Sequence, residues 1–174
     1  VRMCGARVDF VDVNPLTGNL CPIALEKKLE MAVRTSTLPK VIIPVHFSGR
    51  PCDMKAISAQ CGRFGIKIIE DASHAVGASF DGEKIGSCKY SDIAVFSFHP
   101  VKIITSAEGG MVMTNDDSIA ATLRKLVSHG IERDSRNFLK SSDGNWVYEQ
   151  QMLGYNYRMS DLHAALGASQ MAKL

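Results

Sequence analysis

Ile66-Lys67-Ile68-Ile69-Glu70-Asp71-Ala72-Ser73-His74-Ala75 is a short apolar run that ends in a cluster of polar side chains. Residues 66–70 read as a strand, because a brief apolar run bounded by turn residues suits a strand covered on both faces. Just upstream, Asp53 is placed to cap a helix running to about Phe64, with Ile57 and Cys61 four apart on one face. Further upstream, residues 41–45 read as a strand interrupted near its end by Pro44. Before it lies a helical stripe of Ile23, Leu25, Leu29, Ala32 and Val33, with Pro22 in the first turn. Residues 8–13 read as another strand, followed by the turn residues Asn14-Pro15 and Thr17-Gly18. Downstream, residues 92–97 and 111–114 read as strands, and Asn115 or Asp116 caps a helix through about Val127. The polar stretch 132–145 reads as a loop, and Ser160 caps a last helix from Asp161 to the end. This alternation predicts an α/β fold with a mainly parallel sheet flanked by helices.

The composition bounds what the chain does. Its 174 residues are 45% hydrophobic and 22% charged, enough to bury a core. Lys+Arg is 20 and Asp+Glu is 18, a formal net charge of +2 with no basic arm, which argues against nucleic acid as a partner. No apolar run approaches the ~20 residues of a membrane helix, and charged residues interrupt any signal-peptide core near the N-terminus. The five cysteines, Cys4, Cys21, Cys52, Cys61 and Cys88, are odd in number and lack a C-x-x-C pair. Reduced, mostly buried thiols in a cytoplasmic protein are therefore expected, rather than a disulfide framework or a zinc site. The five histidines are scattered without metal-ligand spacing, so no metal is expected.

Ligands of open parallel sheets gather at the carboxyl ends of strands. Three such ends carry polar clusters here: residues 44–49, 70–75 and 97–102. Asp71 at the mouth of an apolar strand needs a partner. It serves either as counter-ion to a protonated pyridine nitrogen or as a helix cap or structural salt bridge. Lys102, five residues beyond Ser97, is either a Schiff-base amine or a surface lysine. Ser97 is a phosphate donor or an ordinary strand-end hydroxyl. Gly109-Gly110 permits a tight turn or close backbone approach, but neither a G-x-G-x-x-G nor a P-loop motif is present. No single motif decides among these readings.

Four motifs in order carry a resemblance. They are Glu70-Asp71-Ala72-Ser73-His74-Ala75, Phe96-Ser97-Phe98-His99-Pro100-Val101-Lys102, Ala107-Glu108-Gly109-Gly110 and Gly154-Tyr155-Asn156-Tyr157-Arg158-Met159-Ser160-Asp161. Together they resemble the DegT/DnrJ/EryC1/StrS family of pyridoxal-phosphate-dependent nucleotide-sugar aminotransferases, of the aspartate-aminotransferase fold (fold type I). Within the family the chain is most similar to the pseudaminic acid branch, through residues 44–54, Ser73-His74, residues 128–131 and residues 146–149.

The resemblance implies pyridoxal 5'-phosphate (PLP) as cofactor, with Lys102 as Schiff-base lysine and proton shuttle. It implies Asp71 at the pyridine nitrogen, His74 near the phenolic oxygen, Ser97 at the phosphate, and Asn156 reaching the cofactor phosphate of a second copy in a homodimer, with Arg158 beside it. The implied reaction moves an amino group from glutamate to C4 of a UDP-linked 4-keto-6-deoxy-N-acetylhexosamine in the cytoplasm. Family members are longer, so residues 1–174 are expected to be a partial PLP-binding large domain, without the N-terminal segment and the C-terminal small domain. By itself such a piece is expected to have little or no transaminase activity. The alternatives are a non-catalytic binding or assembly module, or an aminotransferase for a different nucleotide sugar. The family's dehydratases carry histidine in place of the Schiff-base lysine, and Lys102 speaks against that reading.

Overall fold

A computed structural model describes residues 1–141 and 144–174. Helix α1 (Pro22–Arg34) starts with Pro22 at its first position, where its missing N–H costs nothing. Strand β1 (Val41–Ile42) is short because Pro44 cannot donate to a ladder, although the line continues as a single bridge from Val45 to Asp71. Helix α2 (Met54–Gly62) begins where Asp53 accepts from the Ala56 N–H at 3.1 Å, the expected cap. Strand β2 (Lys67–Asp71) follows, then a hairpin of β3 (Ser79–Phe80) and β4 (Glu83–Lys84). Strands β5 (Ile93–Ser97) and β6 (Gly110–Met113) lead into α3 (Asp117–Leu126), which Asp116 caps from Ser118 and Ile119. A small hairpin of β7 (Ile131–Glu132) and β8 (Glu149–Gln150) precedes α4 (Asp161–Met171), capped by Ser160.

The main sheet has the order β1-β2-β5-β6, with β1, β2 and β5 parallel and β6 antiparallel to β5. The mainly parallel sheet flanked by helices is as the sequence predicts. Its core lies on one face, where Leu25 and Leu29 of α1 and Met54, Ile57 and Cys61 of α2 meet Ile42, Ile66 and Ile68. These side chains are almost wholly withdrawn from water, and hydrophobic burial on this face holds the helices to the sheet. At the other end of the sheet β6 is the rim strand, and Met111, Val112 and Met113 remain exposed.

Two expectations are corrected. Residues 8–13 form no strand. Among the described residues their only ladder contact is a bridge from Val13 to Leu20, across the turn at 14–19, and Val8 and Phe10 stay exposed. An alternating pattern supplies a face, but a strand needs a neighbour to take its N–H and C=O groups. The stretch 132–145, expected as loop, is framed by the β7–β8 pairing that includes Glu132; residues 142–143 of that stretch lie outside the described ones.

Candidate active site

The carboxyl ends of the parallel strands bring three loops together. Asp71 donates its N–H to Pro44 O at 2.9 Å and accepts at its own carbonyl from His46 N–H at 3.0 Å. On the other side, Ala72 N–H donates to Val95 O at 2.8 Å. The start of the 71–75 loop is thereby fixed between the 44–52 loop and β5.

Register decides which side chains share a face. In a parallel ladder paired residues project from the same side, and residues two apart do so again. Asp71 pairs with Val95, so Asp71, Val95 and Ser97 project together from the face opposite the core. Ser97 lies one strand over and two residues along from Asp71, a Cα separation of about 8 Å from strand spacing and rise. Glu70 pairs with Ala94 and projects into the core face. Asp71 is half-buried; its Oδ1 accepts from Ser73 N–H at 3.1 Å, and its other oxygen has no hydrogen bond among the described residues.

Lys102 sits in the connection from β5 to β6, which closes on itself. Phe98 N–H donates to Gly109 O at 2.9 Å, and Phe98 O accepts from Ser106 N–H at 2.9 Å and from Thr105 Oγ1 at 3.0 Å. Ile104 and Ser106 are buried and anchor the loop, with Ser106 Oγ donating to Glu108 O at 2.9 Å. Lys102 itself is half-buried, its N–H on His99 O at 2.9 Å, and its amine makes no ion pair or hydrogen bond among the described residues. The paired glycines are needed for space. A Cβ on Gly109 would strike Ser106 Oγ and Met159 Cε, and one on Gly110 would lie 2.7 Å from Phe96 O.

His74 is exposed, and its ring makes no hydrogen bond among the described residues. Its carbonyl lies against Gly49, where a Cβ would come within 2.7 Å, at a backbone φ of +81°. Asn156 is placed elsewhere. It bridges to Ser128 after α3, fixed by His129 N–H on Tyr155 O and Tyr157 N–H on Val127 O. Its side chain is exposed, between Tyr155 and Tyr157, whose rings stack 4.8 Å apart, and Arg158 Nη1 reaches Ser128 Oγ at 3.4 Å. The strand ends thus gather Asp71, Ser97 and the Lys102 and His74 loops, and Asn156 makes no hydrogen bond to any of them.

Sequence reasoning missed what holds this site. Asn19 is buried and uses its whole side chain on the 47–51 loop: Nδ2 donates to Arg50 O and Pro51 O, and Oδ1 accepts from Phe47 N–H. His46 and Glu70 are buried as well, joined Nε2 to Oε2 at 2.7 Å. The signal for Glu70 was the two-residue period of Ile66, Ile68 and Glu70, which sends a carboxylate into the core, where it needs a partner.

The donors suit a pyridoxal phosphate group: a carboxylate and a hydroxyl about 8 Å apart on one face, and a half-buried free amine in the next loop. Comparison with known proteins points the same way. The model of the DegT/DnrJ/EryC1/StrS aminotransferase family matches residues 1–174, and the chain belongs to that family. It is 39% identical over 172 residues to the UDP-4-amino-4,6-dideoxy-N-acetyl-beta-L-altrosamine transaminase of Campylobacter jejuni, covering 99% of this chain and 42% of that protein. It is 40% identical over 174 residues to the GDP-perosamine synthase of Caulobacter vibrioides, covering 100% of this chain and 42% of that protein. Among solved structures, Helicobacter pylori PseC, an aminotransferase of pseudaminic acid biosynthesis, superposes with a TM-score of 0.82 at 29% identity, over 99% of this chain and 42% of that one. The PLP form of Spr1654 from Streptococcus pneumoniae gives 0.78 at 26% identity, over 99% of this chain and 44% of that one. The chain spans about two fifths of the length of these curated relatives.

Proposed function

We propose that this chain is the PLP-binding part of a nucleotide-sugar aminotransferase that carries an amino group from glutamate to C4 of a UDP-linked 4-keto-6-deoxy-N-acetylhexosamine. The observation that carries the reading is the shared face of Asp71 and Ser97 beside the loop of Lys102. Lys102 Nζ would hold the cofactor's aldehyde carbon, Asp71 its ring nitrogen, Ser97 its phosphate, and His74 would lie near its phenolic oxygen. When bound, the cofactor supplies an electron sink for the substrate carbon. Asp71 keeps a proton on the ring nitrogen, and Lys102 Nζ moves the proton at the substrate carbon.

The exposure of Asn156 supports a homodimer in which this side chain serves the phosphate site of a second copy. Five free cysteines suit a reducing compartment, and the cytoplasm is proposed on that ground. Among the described residues, no helix is long and apolar enough to cross a membrane. Similarity to the Campylobacter transaminase supports the UDP-linked amino sugar, and similarity to PseC supports the pseudaminic acid type of pathway. Near-equal similarity to a GDP-perosamine synthase makes a GDP-linked 4-keto sugar the second reading.

The test is reconstitution of the complete enzyme with PLP. The visible band of lysine-bound cofactor is expected in the wild type and absent in Lys102→Ala; its persistence in that variant would refute the assignment. Glutamate should then bleach the band, and each nucleotide-linked keto sugar in turn should restore it, the better one naming the acceptor.

A further inference from the structure

Beneath the candidate site, on the opposite face of the sheet, lies a polar chain of buried Cys52, His46 and Glu70 that ends on half-buried Ser91. Cys52 N–H donates to His46 Nδ1 at 3.1 Å, so that this ring nitrogen is the acceptor and Nε2 carries the proton. Nε2–H therefore donates to Glu70 Oε2 at 2.7 Å, and the Ser91 hydroxyl donates to Glu70 Oε1. Cys52 also closes the loop through its thiol, on Val45 O at 3.1 Å. His46 and Glu70 are 0% and 3% exposed, so each bond replaces one that water would otherwise make.

The chain's position is what gives it a use. Glu70 is the residue before Asp71, and the main chain of His46 holds Asp71 from the other side through its N–H on Asp71 O. His46 thus grips both the side chain of residue 70 and the backbone of residue 71. Ser91, at the entry to β5, ties Glu70 to the strand that ends in Ser97.

We propose that His46 is a positioning residue for Asp71, acting through Glu70, and that the buried chain sets the direction in which the Asp71 carboxylate faces the cofactor ring. This inference rests on the reading of Asp71 as the partner of the ring nitrogen. The mechanism is geometric. A carboxylate at position 70 is not needed if its hydrogen bonds are kept. In Glu70→Gln the amide oxygen still accepts from His46, while the amide N–H₂ turns to the Ser91 oxygen. In His46→Asn the oxygen still accepts from Cys52 N–H, but the short side chain no longer reaches Glu70.

The experiment uses the complete PLP-loaded enzyme and reads the induced circular dichroism of the cofactor's visible band, which reports how the ring is held. It adds kcat and KM for glutamate and the thermal midpoint. His46→Asn is expected to lose at least half of the dichroism and to lower kcat about tenfold, with KM changed less than about twofold. Glu70→Gln is expected to match wild type in both. Ser91→Ala, which removes one bond only, is expected to show a smaller loss in the same direction, and it carries the test if His46→Asn does not fold. A lower melting point in His46→Asn with unchanged dichroism and kcat would overturn the proposal, and so would a loss in Glu70→Gln equal to that in His46→Asn. Asp71→Asn in the same assay separates the two readings. If it leaves the band and its dichroism unaltered, the cofactor reading of Asp71 fails and this inference with it. If Asp71→Asn alters them and His46→Asn does not, this inference alone fails.

Discussion

At Gly49 a single hydrogen atom decides whether two loops fit together. The residue has a φ of +81°, and a Cβ there would lie 2.7 Å from the carbonyl oxygen of His74. Both facts oppose a side chain: the conformation is one that residues with a Cβ rarely adopt, and the obstacle is backbone, which cannot rotate away. Gly49→Ala is expected to destabilise the protein by more than about 1 kcal/mol and to shift the 71–75 loop. Denaturant unfolding checks the first, and chemical shifts of the Ser73 and His74 amides check the second; wild-type values in both would refute it. At this scale the sequence was only partly legible. Asp53 and Ser160 announced themselves as caps, and Asn115 or Asp116 as a third that the structure assigns to Asp116, because capping depends on neighbours three residues away. The grip of Asn19 on residues 47–51 is a contact across some thirty residues, which no local pattern encodes.

Among the described residues, polar groups tie the β7–β8 hairpin to α3. Glu132 accepts from Arg133 N–H and Asp134 N–H, both at 2.9 Å, and pairs with Lys125 Nζ at 2.9 Å. The Asp134 amide first, and then the Lys125 ammonium, hold the Glu132 carboxyl below its ordinary value of 4.5. A carboxylate whose value is lowered on folding stabilises the fold above the ordinary value, and that contribution is lost as pH falls through the lowered one. Amide exchange at Arg133 and Asp134 is therefore expected to quicken below about pH 4.5 relative to exchange in α2. Glu132→Gln should flatten that dependence; an unchanged profile would count against the carboxylate. The hairpin was hidden in the sequence because its two-residue strands are too short to show a period. The hairpin of β3 and β4 carried a signal that went unread, Asp81-Gly82, which takes positive φ at both residues as a tight two-residue turn requires. Strands β2 and β5 were legible because each is built on a short apolar run, Ile68-Ile69 and residues 93–96, and each is paired on both sides.

Across the molecule three of the five thiols, Cys52, Cys61 and Cys88, are buried, while Cys21 is half-buried and Cys4 is exposed. Burial pushes the Cys52 and Cys61 thiols up to about 11, from an ordinary 9.0. A thiol so raised stays protonated in the folded chain while the unfolded chain ionises. Its contribution is intact below the ordinary value and is lost as pH rises through the folded one. Stability to urea is expected to fall between about pH 9 and 11, and Cys61→Ala should reduce that slope while costing stability at neutral pH. A slope identical to wild type would refute it. Fold class and the order of the site motifs could be read from the text of the chain because strand ends and turns are local. The assembly of the site could not, since register, not spacing, puts Asp71 and Ser97 on one face and Glu70 on the other. The rim strand β6 has a last consequence. It shows Met111, Val112 and Met113 on a strand that no other strand pairs on its outer side among the described residues, the kind of edge that cross-β stacking grows from. Val112→Lys is therefore expected to raise the concentration at which this chain stays clear of aggregates, as light scattering would show.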